Sequence, residues 1–203
     1  MALSKTLIAS QAAYHLGLPG FSNVETESSD AAVIINNLYD WALDSLLREH
    51  TWNFAIKRVT LATEVATPVW GYTKQATLPS DFIREIRINR HRYPYKLENG
   101  KLLSNLTTVS IVYVARITNP GLYDPLFAEA LALKLAVKSG VALNRDKNAV
   151  QQLESAYVRA LKKAKQVDSQ EGTPENIVDV GYYENTFEFN TTGYNFLETE
   201  DLN

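Results

Sequence analysis

The segment from Asp124 to Gly140 most constrains how this chain can fold, because it is apolar almost all the way round a helix. Asp124 is a favourable N-cap, Pro125 suits the first helical turn, and Gly140 is typical of a left-handed residue that ends a helix. Between these signals the polar residues are only Glu129, Lys134, Lys138 and Ser139. A surface helix keeps a broad polar face, so we expect this helix to be covered on more than one side.

Two interpretations of this helix follow. It is either the central core helix of its own domain or a helix buried partly by a neighbouring subunit. In the second case we expect Phe127, Leu131 and Leu135 to contact that subunit. With about 17 residues and internal charges it is too short to cross a bilayer, so no membrane association is expected.

Composition bounds the class of protein. A chain of 203 residues supports one domain with room for an appendage, and its 45 % apolar content is ordinary for a globular protein. The absence of cysteine excludes disulfides, thiolate metal sites and cysteine catalysis. The first residues lead into an amphipathic helix rather than a signal peptide, so we expect synthesis and folding in a reducing cytoplasm.

The net charge of −3 is unevenly divided. Residues 171–203 have no Lys or Arg and eight acids, which are Glu171, Glu175, Asp179, Glu184, Glu188, Glu198, Glu200 and Asp201. The rest of the chain has 20 basic and 15 acidic side chains, a net charge of +5. The sequence therefore indicates a mildly basic body with a strongly acidic C-terminal arm.

The arm is unusually aromatic for an acidic tail. Its six aromatic residues are Tyr182, Tyr183, Phe187, Phe189, Tyr194 and Phe196. Acidic tails are usually solvated, but such tails are poor in aromatic residues. We therefore interpret 171–203 as an arm laid along another surface by strand addition, with folding back on its own body as the alternative.

Helical periodicity occurs in three further segments. The first predicted helix runs from Ser4 to Gly17, the second follows the cap formers at 28–30 and ends near His50, and the fourth runs from Arg145 to about Ser169 with Asn144 as its cap. In the second helix the predicted inward residues are Ile34, Ile35, Leu38, Trp41 and Leu46.

The period changes to two from Thr51 onward. Strands are predicted at 52–61, 72–78, 84–89, 93–98 and 109–115, and Asn99-Gly100 favours a type I′ hairpin turn.

The predicted fold class is α+β. We expect a four-helix bundle-like core built from 1–51 and 118–170, an inserted antiparallel β module at 52–117, and an extended C-terminal arm at 171–203.

No catalytic signature stands out. The sequence has no Gly-rich phosphate loop, HExxH helix, EF-hand or GxSxG elbow, and its three histidines are scattered. Abundant carboxylates leave a glycosidase-type acid–base pair open, although nothing singles one out. We therefore predict no catalytic residue, no cofactor and no metal site.

The densest basic run is Arg84, Arg87, Arg90, His91 and Arg92. Spacing on strands would spread these side chains over both faces, which weakens a nucleic-acid stripe. We expect these basic residues to lie on a solvated or subunit-facing edge rather than to bind nucleic-acid phosphates. A third alternative is that they bind the acidic arm of a neighbouring subunit.

Three segments in this order resemble the head–tail adaptor proteins of short-tailed bacteriophages, the tail tubular protein A family. Trp52–Val59 looks like the family's Trp-x-Phe-Ala-x-x-Arg pattern, and Leu78–Arg84, preceded by Tyr72, looks like its Leu-Pro-x-Asp-Phe-x-Arg pattern. Tyr113–Ala132 looks like the strand–turn–helix that follows. The resemblance covers roughly residues 1–168 and leaves the arm unmatched.

The resemblance implies a structural virion protein, not an enzyme. Such adaptors form a twelve-subunit ring, also called the head–tail connector. The ring binds the portal protein and presents a platform to the tail nozzle, which is formed by a tail tubular protein B-like partner. DNA passes through the channel without specific recognition during ejection. Assembly would occur in the host cytoplasm, with the mature protein in the virion neck.

Within that ring, the resemblance suggests distinct roles for parts of this chain. The helices would pack side by side in a heterologous interface that closes by rotation. The aromatic arm would bind the portal, and the β module, with Arg84, Arg87, Arg90 and Arg92, would face the nozzle or a neighbouring subunit. The alternatives are a virion-associated peptidoglycan hydrolase and a DNA-binding module that uses the 84–92 basic run.

Overall fold

A computed structural model describes residues 3–89 and 93–171. Over these residues the helices are α1 (Lys5–His15), α2 (Asp30–Glu49), α3 (Pro125–Ala142) and α4 (Lys147–Asp168). The strands there are β1 (Ile56–Leu61), β2 (Lys74–Thr77), β3 (Phe82–Ile88), β4 (Tyr95–Glu98), β5 (Lys101–Ser104) and β6 (Val109–Ala115). In the same part of the chain, short 3₁₀ turns cover Asn53–Ala55 and Pro120–Leu122.

Helix α3 begins where the sequence predicts and ends later. The Asp124 carboxylate accepts hydrogen bonds from the backbone N–H groups of the helix's first turn, including that of Phe127 at 3.2 Å, which confirms the predicted N-cap. The prediction that Gly140 is a left-handed cap was wrong, because the helix continues through it. A Cβ at Gly140 would lie 3.0 Å from Leu16 Cδ2 and 3.2 Å from Val150 Cγ2. The glycine therefore permits close packing of α1 and α4 against α3.

The start of α4 also differs from the prediction. Asp146, not Asn144, is the N-cap, and its Oδ2 accepts a hydrogen bond from Ala149 N at 3.0 Å. Asn144 lies in the left-handed region with φ of 52°, where it turns the chain between the two helices.

Helix α2 buries Ile35 and Leu46 as predicted, and it leaves Ile34 and Leu38 half-buried. Its buried residues are Ala32, Ile35, Tyr39, Ala42, Leu43, Leu46 and Leu47. Trp41, which was predicted to face inward, is 54 % exposed. Ala32, Tyr39 and Ala42 complete the buried stripe beside the larger apolar residues, so a count of large apolar residues alone misplaces Trp41.

Within residues 3–89 and 93–171 the strands form two antiparallel three-stranded sheets, which we call sheet A (order β1-β6-β3) and sheet B (order β2-β5-β4). The hairpin between β4 and β5 has Asn99 at φ 48° and Gly100 at φ 70°, which confirms the predicted turn. The strand predicted from position 52 begins only at Ile56, because 53–55 form a 3₁₀ turn. Before that turn the Trp52 indole N–H donates to Leu46 O at 3.0 Å.

The predicted four-helix bundle-like core with one inserted β module was wrong. The described residues form an α+β fold of four helices and two separate sheets. Helix α3 packs against α1, α2 and α4, because its apolar surface needs cover on every side. Buried residues of the helices and of both sheets, such as Leu131, Val114 and Leu102, belong to one continuous core.

Candidate interaction surfaces

The α3 residues that we predicted at a subunit interface lie inside the chain itself. Phe127, Leu131 and Leu135 are each 0 % exposed. The Phe127 ring lies edge-on to Trp52 and to Phe54, with both pairs of ring centroids 4.9 Å apart. The prediction that these three residues contact a neighbouring subunit was therefore wrong, and any such interface must be formed by other residues.

Large apolar side chains on α2 and α3 are exposed instead. Trp41 and Val33 of α2 are 54 % and 46 % exposed, and Val141 of α3 is 69 % exposed. The Lys138 ammonium of α3 lies 4.8 Å from the centre of the Trp41 ring. We call Val33, Trp41 and Val141 the helical apolar residues.

The second exposed feature is the connection between β1 and β2, residues 62–73. Val65, Val69 and Trp70 are 102 %, 99 % and 86 % exposed. We call this segment the β1–β2 loop. Strand β1 leaves the helices at Ile56 and runs outward for six residues, about 17 Å, so the loop lies at the end of the strand away from α2.

The foot of this loop is fixed by a polar cluster around Glu64. The Glu64 carboxylate accepts hydrogen bonds from Lys101 Nζ at 2.6 Å, from Thr77 Oγ1 at 2.5 Å and from Gln75 Nε2 at 2.8 Å. These bonds, that of Lys101 foremost, lower the pKa of Glu64. The exposed tip is thus held on an ordered base. The sequence signal that could have revealed it is a Val-Trp pair between Pro68 and Gly71, a turn context for large apolar residues.

The described arginines of the basic run share one face of sheet A, contrary to the prediction that they spread over both. Arg84 is paired with Val114 and Arg87 with Val112, two residues apart on β6 and therefore on the same face. Irregularities in the register of β3 allow this three-residue spacing. Arg58 of β1 is paired with Val112 from the other side, so it joins the same face.

This face forms an open depression of about 650 Å³. Its lining residues are Arg58, Val59, Thr60, Arg87, Asn89, Thr108, Ser110, Ile111 and Val112. Of these described lining residues, two are cationic and none is acidic.

A second polar cluster fixes the end of α4. His50 Nε2 donates to Asp168 Oδ2 at 3.1 Å, and Asn53 N donates to Asp168 Oδ1 at 3.0 Å. Burial lowers the pKa of His50 and outweighs the opposing effect of the Asp168 carboxylate, with Lys165 and Arg84 acting in the same direction as burial. The cluster joins the last residue of α4 to the segment that leads into β1.

A third cluster lies between α2, α3 and α4. Lys134 Nζ, whose side chain is 9 % exposed, lies 2.6 Å from Glu49 Oε1, and Tyr157 Oη donates to the same oxygen at 3.0 Å. Burial alone would raise the pKa of Glu49, but Lys134 and Tyr157 lower it. This cluster ties three helices together and has no open depression beside it among those described.

Several predicted site residues lie outside the described residues. They are Arg90, Arg92, Tyr182, Tyr183, Phe187, Phe189, Tyr194 and Phe196.

Comparisons with known proteins do not assign the chain to a family. No protein-family model matches the sequence, and no curated protein matches it. Over residues 3–89 and 93–171, no group of three or more metal-ligating side chains is placed to hold an ion. None of the helices in that part of the chain is long and apolar enough to cross a membrane.

Proposed function

We propose that this protein is a structural head–tail adaptor of a short-tailed bacteriophage. It assembles as a ring, a dodecamer by analogy with the family that the sequence resembles, between the portal protein and the tail nozzle. DNA passes through the channel of the ring, and no catalytic residue is assigned. The protein is built into the virion neck after assembly in the host cytoplasm.

The observation that carries this proposal is the β1–β2 loop. Val65, Val69 and Trp70 are almost completely exposed although the foot of the loop is held by Glu64. Exposed apolar groups of this kind mark surfaces that bind another protein. Aromatic residues such as Trp70 are also the usual anchors of such interfaces. We assign the loop to the tail nozzle.

The helical apolar residues supply the contact between subunits in this proposal. Val33, Trp41 and Val141 are exposed on α2 and α3. A ring is closed by a heterologous interface, in which this surface meets a different surface on the next subunit. The core residues Phe127, Leu131 and Leu135 then stabilise the helices that carry the interface without contacting the neighbour.

The acidic, aromatic arm is assigned to the portal. This part of the proposal rests on its sequence alone, with eight acids and six aromatic residues in 171–203.

Capture of the nozzle protein by the assembled ring tests the assignment of the loop. We expect Trp70→Ser to leave ring assembly on the portal intact and to abolish nozzle capture, because the substitution removes an exposed anchor and no core contact. Thr67→Ser in the same loop is the matched control and retains capture. Undiminished nozzle capture by Trp70→Ser would overturn the assignment.

A further inference from the structure

The outer face of sheet A has the chemistry of a phosphate-binding surface. Arg58 on β1 and Arg87 on β3 flank Val112 of the central strand, so their Cα atoms are two strand spacings apart, about 10 Å. Both side chains are exposed and line the same depression of about 650 Å³. Their guanidinium groups are suited to bidentate contact with phosphate oxygens.

The polar groups between the arginines add hydrogen-bond donors. Thr60 Oγ1 and Ser110 Oγ lie 2.9 Å apart, and since one hydroxyl donates to the other, the second O–H is left to donate outward. Asn89 Oδ1 accepts from Ser110 N at 2.7 Å, which leaves the Asn89 amide N–H groups as donors. Arg, Ser, Thr and Asn are all among the side chains that contact phosphates of nucleic acids.

The shape of the face favours a large ligand over a small one. Small-molecule sites enclose most of their ligand, whereas Arg58, Thr60, Arg87, Thr108 and Ser110 are all exposed. The depression is therefore a shallow part of an open surface.

The residues that line the depression also favour one class of polyanion over the others. No aromatic side chain lies among the described lining residues, and stacking on aromatic side chains is how proteins hold single strands. Protein interfaces are commonly anchored by aromatic side chains packed into pockets, whereas in this depression the apolar Ile111 is buried and Val112 is half-buried. A double-stranded sugar–phosphate backbone requires neither.

We propose that the outer face of sheet A binds the backbone of double-stranded DNA without reading its sequence, with Arg58 and Arg87 contacting phosphates and Thr60, Ser110 and Asn89 donating hydrogen bonds. The proposal is independent of the adaptor function, because it concerns contact with DNA and not assembly with portal or nozzle.

The salt dependence of binding to a duplex of about 30 base pairs tests this face, since each neutralised phosphate contributes about 0.9 to the slope of log K against log salt. We expect the wild-type chain to bind and the double variant Arg58→Gln with Arg87→Gln to bind more weakly, with a slope smaller by about 2. The double variant Arg145→Gln with Arg159→Gln removes the same charge from exposed positions at and near α4. It should keep the wild-type slope.

Two further measurements keep the test decisive. The double variant Arg58→Lys with Arg87→Lys keeps both charges and should retain most of the slope, which separates phosphate contact from misfolding. Poly-glutamate of equal charge should bind more weakly than the duplex. Equal losses in the two Arg→Gln pairs, absence of duplex binding at low salt, or equal affinity for poly-glutamate would each overturn the proposal.

Discussion

The imidazole Nε2 of His50 lies 3.1 Å from Asp168 Oδ2, although the two residues are 118 positions apart in the sequence. The same carboxylate accepts the backbone N–H of Asn53, and Asp168 O accepts from Asn53 Nδ2. Asp168, which is 6 % exposed, therefore fixes the end of α4 to the start of the β region.

The free energy of unfolding should decrease as the pH is lowered through the titration of His50. Burial lowers the pKa of His50 below its ordinary value of 6.5, so the unfolded chain takes up a proton more readily than the folded one. The stabilisation is present above about pH 6.5 and is lost as the pH falls toward the lower folded pKa. We expect His50→Gln to flatten the free energy of unfolding between about pH 7 and 5, measured by urea denaturation.

Asp168→Asn provides the opposing variant. Removing the negative charge that partly counteracts burial should lower the pKa of His50 further, so the pH dependence becomes steeper while overall stability falls. The same slope in wild type and His50→Gln would contradict this account.

The contact between Glu49 and Lys134 should behave as a coupled pair. Glu49→Gln leaves the nearly buried Lys134 ammonium without a carboxylate and should cost about 1–3 kcal/mol. Lys134→Met fills a similar volume, while Glu49 keeps Tyr157 and Lys165, so its cost should be below about 1.5 kcal/mol. The double variant should cost no more than Glu49→Gln alone. Additive costs in a double-mutant cycle would show that the two groups do not interact.

Gly140 should tolerate alanine but not valine. Alanine gains about 1 kcal/mol of helix propensity, which offsets the slight displacement required of the Leu16 and Val150 methyl groups. Valine has no such room and should cost about 1–3 kcal/mol through overpacking. Thermal unfolding measures both variants, and a clear loss of stability in Gly140→Ala with no further loss in Gly140→Val would argue for backbone strain instead.

Local signals made much of the fold predictable. The Asp124 cap, the Asn99-Gly100 turn and strand 109–115 each depend on neighbouring residues, and the structure contains all three. The interactions that form them join residues a few positions apart, so these features can be predicted from the sequence.

Features that depend on distant packing were not predictable. Trp41 faces outward while Ala32, Tyr39 and Ala42 share the buried stripe of α2 with larger apolar residues, and Gly140 lies inside α3, where the Leu16 and Val150 side chains pack closely against it. Period-two patterns locate strands but not their partners, so the division into sheets A and B was missed. The common face of Arg84 and Arg87 was missed for the same reason, because it arises from register irregularities in β3, and the pairing of Arg58 with Val112 adds Arg58 to that face.

Electron microscopy of purified portal rings mixed with this protein tests the central proposal most directly. We expect an additional ring of density stacked on one face of the portal, formed by the full chain and retained by the Trp70→Ser variant. Portal rings that stay bare at concentrations where the chain is in large excess would contradict the adaptor function.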